Sequence, residues 1–179
     1  MKKLLSLFLV LALAFSLCVG VLAEETTAAE PSDETAGELA GQIVILHTND
    51  VHGAIDGYAK VAALKADYEA KGAEVLLFDA GDFIQGTTSV SLSQGATAVE
   101  LMNLAGYDLV TLGNHEFDYG MDNLKTIFAK AEFGVVAANI KLNGAAAFDA
   151  SKVFELADGT KLGVFGLATP ETATKANPA

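Results

Sequence analysis

Four short apolar runs, separated by segments with helical spacing, organise the middle of this chain. Ile43-Val44-Ile45-Leu46, Val75 to Phe78, Leu109 to Leu112 and Val135 to Ala138 are almost wholly apolar. Runs of that length suit strands buried on both faces, as in a parallel sheet. Between the first two, Tyr58 to Lys71 places Val61, Leu64 and Tyr68 on one side and Lys60, Lys65 and Glu69 elsewhere, and Gly72 supplies a stop. Thr97 to Ala105, ending at Gly106, and Met121 to Ala131 are the second and third predicted helices. Val153 to Leu156 and Lys161 to Leu167 read as strands joined at Asp158-Gly159, a dipeptide suited to a tight hairpin. The alternation from 43 to 138 predicts βαβ units in an α/β fold with a mostly parallel, buried sheet. No internal repeat is visible.

The N-terminal pattern is different. Lys2 and Lys3 precede a nearly continuous apolar stretch from Leu4 to Val19, and Val21-Leu22-Ala23 offers modest or small residues before Glu24. That is the three-part pattern of a secretory signal, assigned to residues 1–23, with an uncleaved anchor as the alternative. Residues 24–41 carry six acids, no base and Pro31, and read as a solvated acidic linker. The folded domain is then 42–179. It stops just after Leu167-Ala168-Thr169-Pro170, in a post-strand loop, so the domain reads as truncated. With the signal removed no stable membrane span is expected. The protein is exported on this reading: periplasmic in a two-membrane cell, secreted or wall-associated in a one-membrane cell.

Composition narrows the partners. The formal net charge is −12 and arginine is absent. Without a basic stripe, polymeric nucleic acid is excluded as an expected partner, and an anionic substrate would depend on bound cations to offset the local field. A bidentate guanidinium clamp for phosphate is also missing from these residues. Cys18, the only cysteine, leaves with the signal, so the mature chain has neither disulfide nor thiolate ligand. The hydrophobic fraction of 51%, although raised by the signal, is enough for a core.

Polar clusters follow three of the apolar runs: Asp50-Val51-His52-Gly53, Gly81-Asp82, and Gly113-Asn114-His115-Glu116 with Asp118 close behind. A parallel sheet delivers such residues to one edge, where open α/β folds bind ligands. Asp50 and His52, two apart in an extended segment, reach the same side. Asp82 has two carboxylate oxygens, enough to bridge two cations about 3.5–4 Å apart. Asn114 offers a neutral amide oxygen suited to Mn, Fe, Zn or Mg. These four are the candidate metal ligands. His115 and Asp118, three apart on a tight turn, are the candidate catalytic pair. There Asp118 orients the imidazole and supports its protonated form for work on the phosphoryl group or leaving oxygen. Glu116 reads as a helix-start or supporting residue before a ligand. His47 reads as a packing or hydrogen-bonding histidine. The Ser/Thr/Gly-rich stretch Gln85 to Gly95 lacks the lysine of a P-loop and reads as a mobile surface loop near the site. Two divalent metals activating water against a phosphate ester is the chemistry this set suits.

The stretches Ile45 to Gly53 (ILHTNDVHG), Gly81 to Gly86 and Thr111 to Gly120 (TLGNHEFDYG) resemble the 5′-nucleotidase and UDP-sugar hydrolase branch of the calcineurin-like metallophosphoesterases. The similarity runs from about Gln42 to Thr174. It implies a metallophosphoesterase-type layered sandwich and a nucleotide substrate of small-molecule size. It also implies two divalent ions (Mn, Zn, Fe, Co or Mg). In that family the counterparts of Asp50 and His52 hold one metal, that of Asp82 bridges, and that of Asn114 holds the second. The counterparts of His115 and Asp118 form the catalytic dyad. The family draws further ligands from later in the chain and grips the nucleotide with a separate C-terminal domain. Here only three histidines exist and none follows His115, so the second metal site is expected to be incomplete. The expected activity is hydrolysis of nucleoside 5′-phosphates. The alternatives are a 2′,3′-cyclic nucleotide, UDP-sugar or sulfur-ester hydrolase, and a secreted metal-binding protein without catalysis.

Overall fold

The computed structural model describes residues 37–176. The predicted signal and residues 24–36 of the predicted linker lie outside them. Residues 37–41, the end of that linker, form a turn whose Leu39 N–H donates to the Lys71 carbonyl at 2.8 Å. Four parallel strands follow: β1 (Ile43–Thr48), β2 (Glu74–Asp79), β3 (Leu109–Val110) and β4 (Gly134–Val135). They lie in the order β1-β2-β3-β4. The helices α1 (Asp56–Ala70), α2 (Thr88–Leu92), α3 (Ala96–Ala105) and α4 (Gly120–Phe128) fill the crossovers. After β4 comes a two-residue antiparallel pair, β5 (Lys141–Leu142) with β6 (Ala145–Ala146), which has no counterpart among the predicted elements. No helix among the described residues is long and apolar enough to cross a membrane.

Sequential strand order has a consequence for the layers. Each right-handed crossover packs its helix on the same side of the sheet, so one face receives all of them. The core forms there, with Leu77, Val110, Val99, Met102, Leu124 and Ile127 among its buried members. Burying each such side chain contributes about 1.5–3 kcal/mol. The predicted end of α3 is sharp: Gly106 takes a left-handed φ of 74° and its N–H closes on the Asn103 carbonyl, the usual glycine C-cap.

The opposite face of the sheet is covered by a hairpin, β7 (Ser151–Glu155) and β8 (Lys161–Phe165). Phe154 meets Phe78 with ring centroids 5.7 Å apart, and the Ala138 N–H donates to the Gly166 carbonyl at 2.8 Å. Asn139 then clasps Ala168 through two hydrogen bonds of 2.7 and 2.9 Å. The cover stops short of β1. Ile43 and Ile45 remain 41% and 48% exposed, so the prediction that this strand is buried on both faces is corrected. Only the Val44, Leu46, Thr48 side faces the helices. His47, on the open side, is exposed; its side chain makes no hydrogen bond among the described residues and lines a cavity with Phe78 and Val136, so of the two expected roles it takes packing.

One further difference is local. The Gln85–Gly95 stretch contains the short helix α2, with Val90 fully buried.

Candidate metal centre

The carboxyl ends of β1, β2 and β3 open into three loops that lie against one another. Backbone bonds link the first two: Asp50 N–H donates to the Gly81 carbonyl at 3.0 Å, and His52 N–H to the Asp82 carbonyl at 2.9 Å. The second and third meet backbone to backbone. A β-carbon placed on Gly81 would lie 2.2 Å from the Gly113 nitrogen, and one on Gly113 would lie 2.2 Å from Asp82 Oδ1. Glycine is required at both positions because no side chain fits between the loops.

Three candidate ligands sit on left-handed backbone. Asp50, His52 and Asp82 have φ of 51°, 46° and 64°, a region that costs a non-glycine residue about 1–3 kcal/mol and concentrates at functional sites. The turns aim the side chains together. One ligand atom each from His52, Asp82 and His115 lies within 4.8 Å of the other two. The His52 and His115 rings meet edge to face at 5.0 Å. Asp50 Oδ1 lies 3.7 Å from His52 Nε2, so the fourth residue borders the same space. A hydrogen bond from Asn49 at 2.8 Å, with the neighbouring His52 contributing, holds the Asp50 carboxyl below its usual range. The His52 imidazole and the Asp50 and Asp82 carboxylates form a donor set that suits Mn, Fe, Co or Zn, with the His115 imidazole beside them. The residues fit a divalent metal.

Asn114 opens the 3-10 turn His115–Phe117, and its backbone carbonyl accepts the Phe117 N–H. Its side-chain amide is half-buried and takes no hydrogen bond among the described residues. His115 Nδ1 lies 2.6 Å from Asp118 Oδ2. An ionised carboxylate only accepts, so Nδ1 carries the proton and Nε2 is the nitrogen offered to the site. The predicted pair is therefore in hydrogen-bond contact.

Two supporting features are poorly legible in the sequence. Gln85 Oε1 lies 3.3 Å from His52 Nδ1, which leaves Nε2 toward the cluster. Next to it, Thr87 Oγ1 donates to the Gly53 carbonyl at 2.6 Å, so the start of the expected mobile loop braces the β1 turn. Glu116 is fully buried and accepts three backbone N–H bonds, from Asp82 (2.9 Å), Phe83 (2.9 Å) and Gly113 (2.7 Å). Burial pushes its carboxyl up, and the three donors pull the other way. Two of those donors, on Asp82 and Phe83, are more than thirty residues away, and no local spacing announces them.

Beneath the loops, Asp79 ends β2 inside the protein. Its Oδ1 accepts the Gly81 N–H at 2.7 Å, and its Oδ2 meets Thr48 Oγ1, which also contacts Tyr107 Oη at 2.8 Å. Burial pushes this carboxyl up to about 7. A cavity of about 180 Å³ opens beside Asp79 on the hairpin side of the sheet, lined also by His47, Phe78, Leu109, Val136 and Phe165. Its lining is mostly apolar and includes none of the converging ligands.

Comparison with known proteins agrees with this geometry. The chain is 36% identical over 160 residues to the snake venom 5′-nucleotidase of Gloydius brevicauda, a match that covers 76% of this chain and 27% of that protein. It is 34% identical over 164 residues to the 5′-nucleotidase of Vibrio vulnificus (strain CMCP6), covering 84% and 30% respectively. In structure it is similar to a 5′-nucleotidase precursor from Thermus thermophilus, with a TM-score of 0.67 and 31% identity over 75% of this chain and 30% of that one. The chain thus spans under a third of the length of each of these relatives. The calcineurin-like phosphoesterase family matches residues 43–174, from the first strand through the metal-site loops to the helix after Pro170, and this chain belongs to that family.

Proposed function

We propose that this chain carries the nucleophile-activating part of an exported, dinuclear-metal 5′-nucleotidase. The observation that carries the reading is the convergence of His52, Asp82 and His115 on one point at the carboxyl edge of the parallel sheet. Asp50 and His52 would hold one divalent ion, Asp82 would bridge, and Asn114 would hold the second. When bound, such ions polarise the phosphoryl oxygens and supply an activated water. The chain's own groups do the rest. The Asp118 carboxylate fixes the His115 tautomer, so that Nε2 faces the phosphoryl group and can hold or deliver a proton at the leaving oxygen. Bonds at its own N–H and at its carboxylate keep Asp82 still while charge moves beside it.

The 5′-nucleotidase relatives support a nucleoside 5′-phosphate as the substrate, and the strongly acidic chain without arginine supports metal-mediated handling of it. Lys2, Lys3 and the apolar run to Val19 support export. The test is phosphate release from AMP, 2′,3′-cyclic AMP and UDP-glucose with Mn²⁺ present or chelated. AMP turnover that needs the metal is expected. A preference for either other ester would reassign the substrate, and activity that survives chelation would remove the metal from the reaction. A second reading, metal binding without catalysis, is favoured by the convergence of only three ligand atoms among the described residues. Calorimetric binding of Mn²⁺ with no turnover of any ester would select it.

A further inference from the structure

We propose that Glu116 is a positioning residue whose carboxylate clamps the β2 loop to the β3 loop, and so sets the spacing between Asp82 and the Asn114–His115 pair. The inference rests on reading these loops as a metal centre.

The geometry is that of a fastener. Glu116 Oε2 accepts from Asp82 on one loop and Gly113 on the other, and Oε1 accepts from Phe83. All three donors are backbone N–H groups, so the bonds fix the course of the chain and not merely a rotamer. Asp82 Oδ1 in turn accepts the His115 N–H at 2.8 Å. The glycine contacts between the loops leave no slack in which the spacing could adjust. Glu116 has no exposed surface, so it does not touch substrate and acts only through the residues it holds.

A carboxylate is specifically required. Three donors converge on two oxygens, and glutamine would turn an N–H₂ donor toward at least one of them. The backbone N–H facing it loses its acceptor in a site closed to water, and the loops must part to relieve it. Outer partners of metal ligands typically govern about 10–100-fold in metal affinity. Glu116 differs from the usual outer partner in orienting a ligand through its backbone.

The test uses the full chain and Mn²⁺ as the probe. Glu116→Gln is compared with Lys65→Met, a control that breaks the half-buried contact of Lys65 with Asp108 and the Gly106 carbonyl, at the other end of β3. Expected is a loss of about 10–100-fold in Mn²⁺ affinity by calorimetry for Glu116→Gln, with affinity retained in the control at a comparable loss of Tm. Wild-type affinity in Glu116→Gln, or an equal loss in Lys65→Met, overturns the proposal, because Glu116 is then an ordinary stabilising group. If Glu116→Gln does not fold, Glu116→Asp is read by the same criterion, since its shorter arm cannot span both loops. Failure of both to fold makes Glu116 a folding residue and also overturns it. If the wild-type chain binds no Mn²⁺, the metal-centre reading falls instead. Amide exchange then judges the clamp alone: faster exchange confined to Asp82, Phe83 and Gly113 in Glu116→Gln supports it, and unchanged exchange removes it.

Discussion

The two sides of the candidate metal site are built differently. Asp82 is buried, pinned at its own N–H by Glu116 and at its side chain by the His115 N–H. Across from it, Asp50 and His52 have side chains 63% and 40% exposed, and their strongest side-chain tie is a single bond from Asn49. Both loops share the same left-handed backbone, so the difference lies in burial and not in conformation. One side is preorganised by buried and half-buried bonds. The other is held from outside, by Gln85 and Thr87. Ligands of the first kind should be intolerant of change, and those of the second should weaken only by as much as each removed brace supplied.

Asp82→Asn tests the rigid side and should give the largest effect. Phosphate release should fall to background and Mn²⁺ affinity by more than about 100-fold, beyond what outer partners command. A folded, active Asp82→Asn would abolish the distinction between the two sides. His115→Ala comes next, with kcat lower by about 10²–10⁴-fold while Mn²⁺ affinity holds. If affinity collapses as well, His115 is a ligand and not the acid of a dyad, an alternative that its place in the converging cluster makes concrete. Asp118→Asn should cost less, about tenfold or more in kcat with KM unmoved, through misorientation of the ring. Gln85→Ala probes the yielding side and should be the mildest of these, changing Mn²⁺ affinity by no more than about tenfold. A loss as large as that of Asp82→Asn would show that the exposed side is rigid after all.

A pH measurement addresses what joins the two sides. Asp79 connects the Thr48 end of β1 to the Gly81 turn of β2, directly beneath both loops. Its carboxyl is raised to about 7 from an ordinary 3.8, chiefly by burial. Between those values the folded chain keeps a proton that the unfolded chain has lost, so stability falls as pH rises through that window and levels off above about 7. The decline is up to about 4 kcal/mol. Asp79→Asn keeps an oxygen for the Gly81 N–H and turns an amide N–H toward Thr48 Oγ1, whose hydroxyl can accept it, and should flatten the urea-unfolding free energy between about pH 4 and 7. A slope as steep as that of the wild type would move the titration to another group.

Much of this is legible in the residues, for a physical reason. Strand and helix periods are local, and the three polar clusters follow directly on apolar runs, so placing the runs in a parallel sheet also places Asp50, His52, Asp82 and His115 at one edge. What is not legible depends on order and distance. The run Ile43 to Leu46 is apolar on both sides, and only the strand order shows that one side goes without helices. The Ser/Thr/Gly content of Gln85 to Gly95 argues for a loop. Val90, anchored in the core, makes part of it a helix. Glu116 can be seen as a supporting residue, but its donors on Asp82 and Phe83 come from a separate βα unit.

The left-handed turns at Asp50, His52 and Asp82 have a further consequence for how such a site tolerates variation. Aspartate, histidine and asparagine are among the few residues besides glycine that accept this backbone readily. They are also residues that bind divalent ions. A library randomised at positions 50, 52 and 82 and selected only for folding would return mostly Gly, Asn and Asp, with β-branched residues purged. The backbone filters the alphabet toward metal-binding chemistry before any selection for catalysis begins.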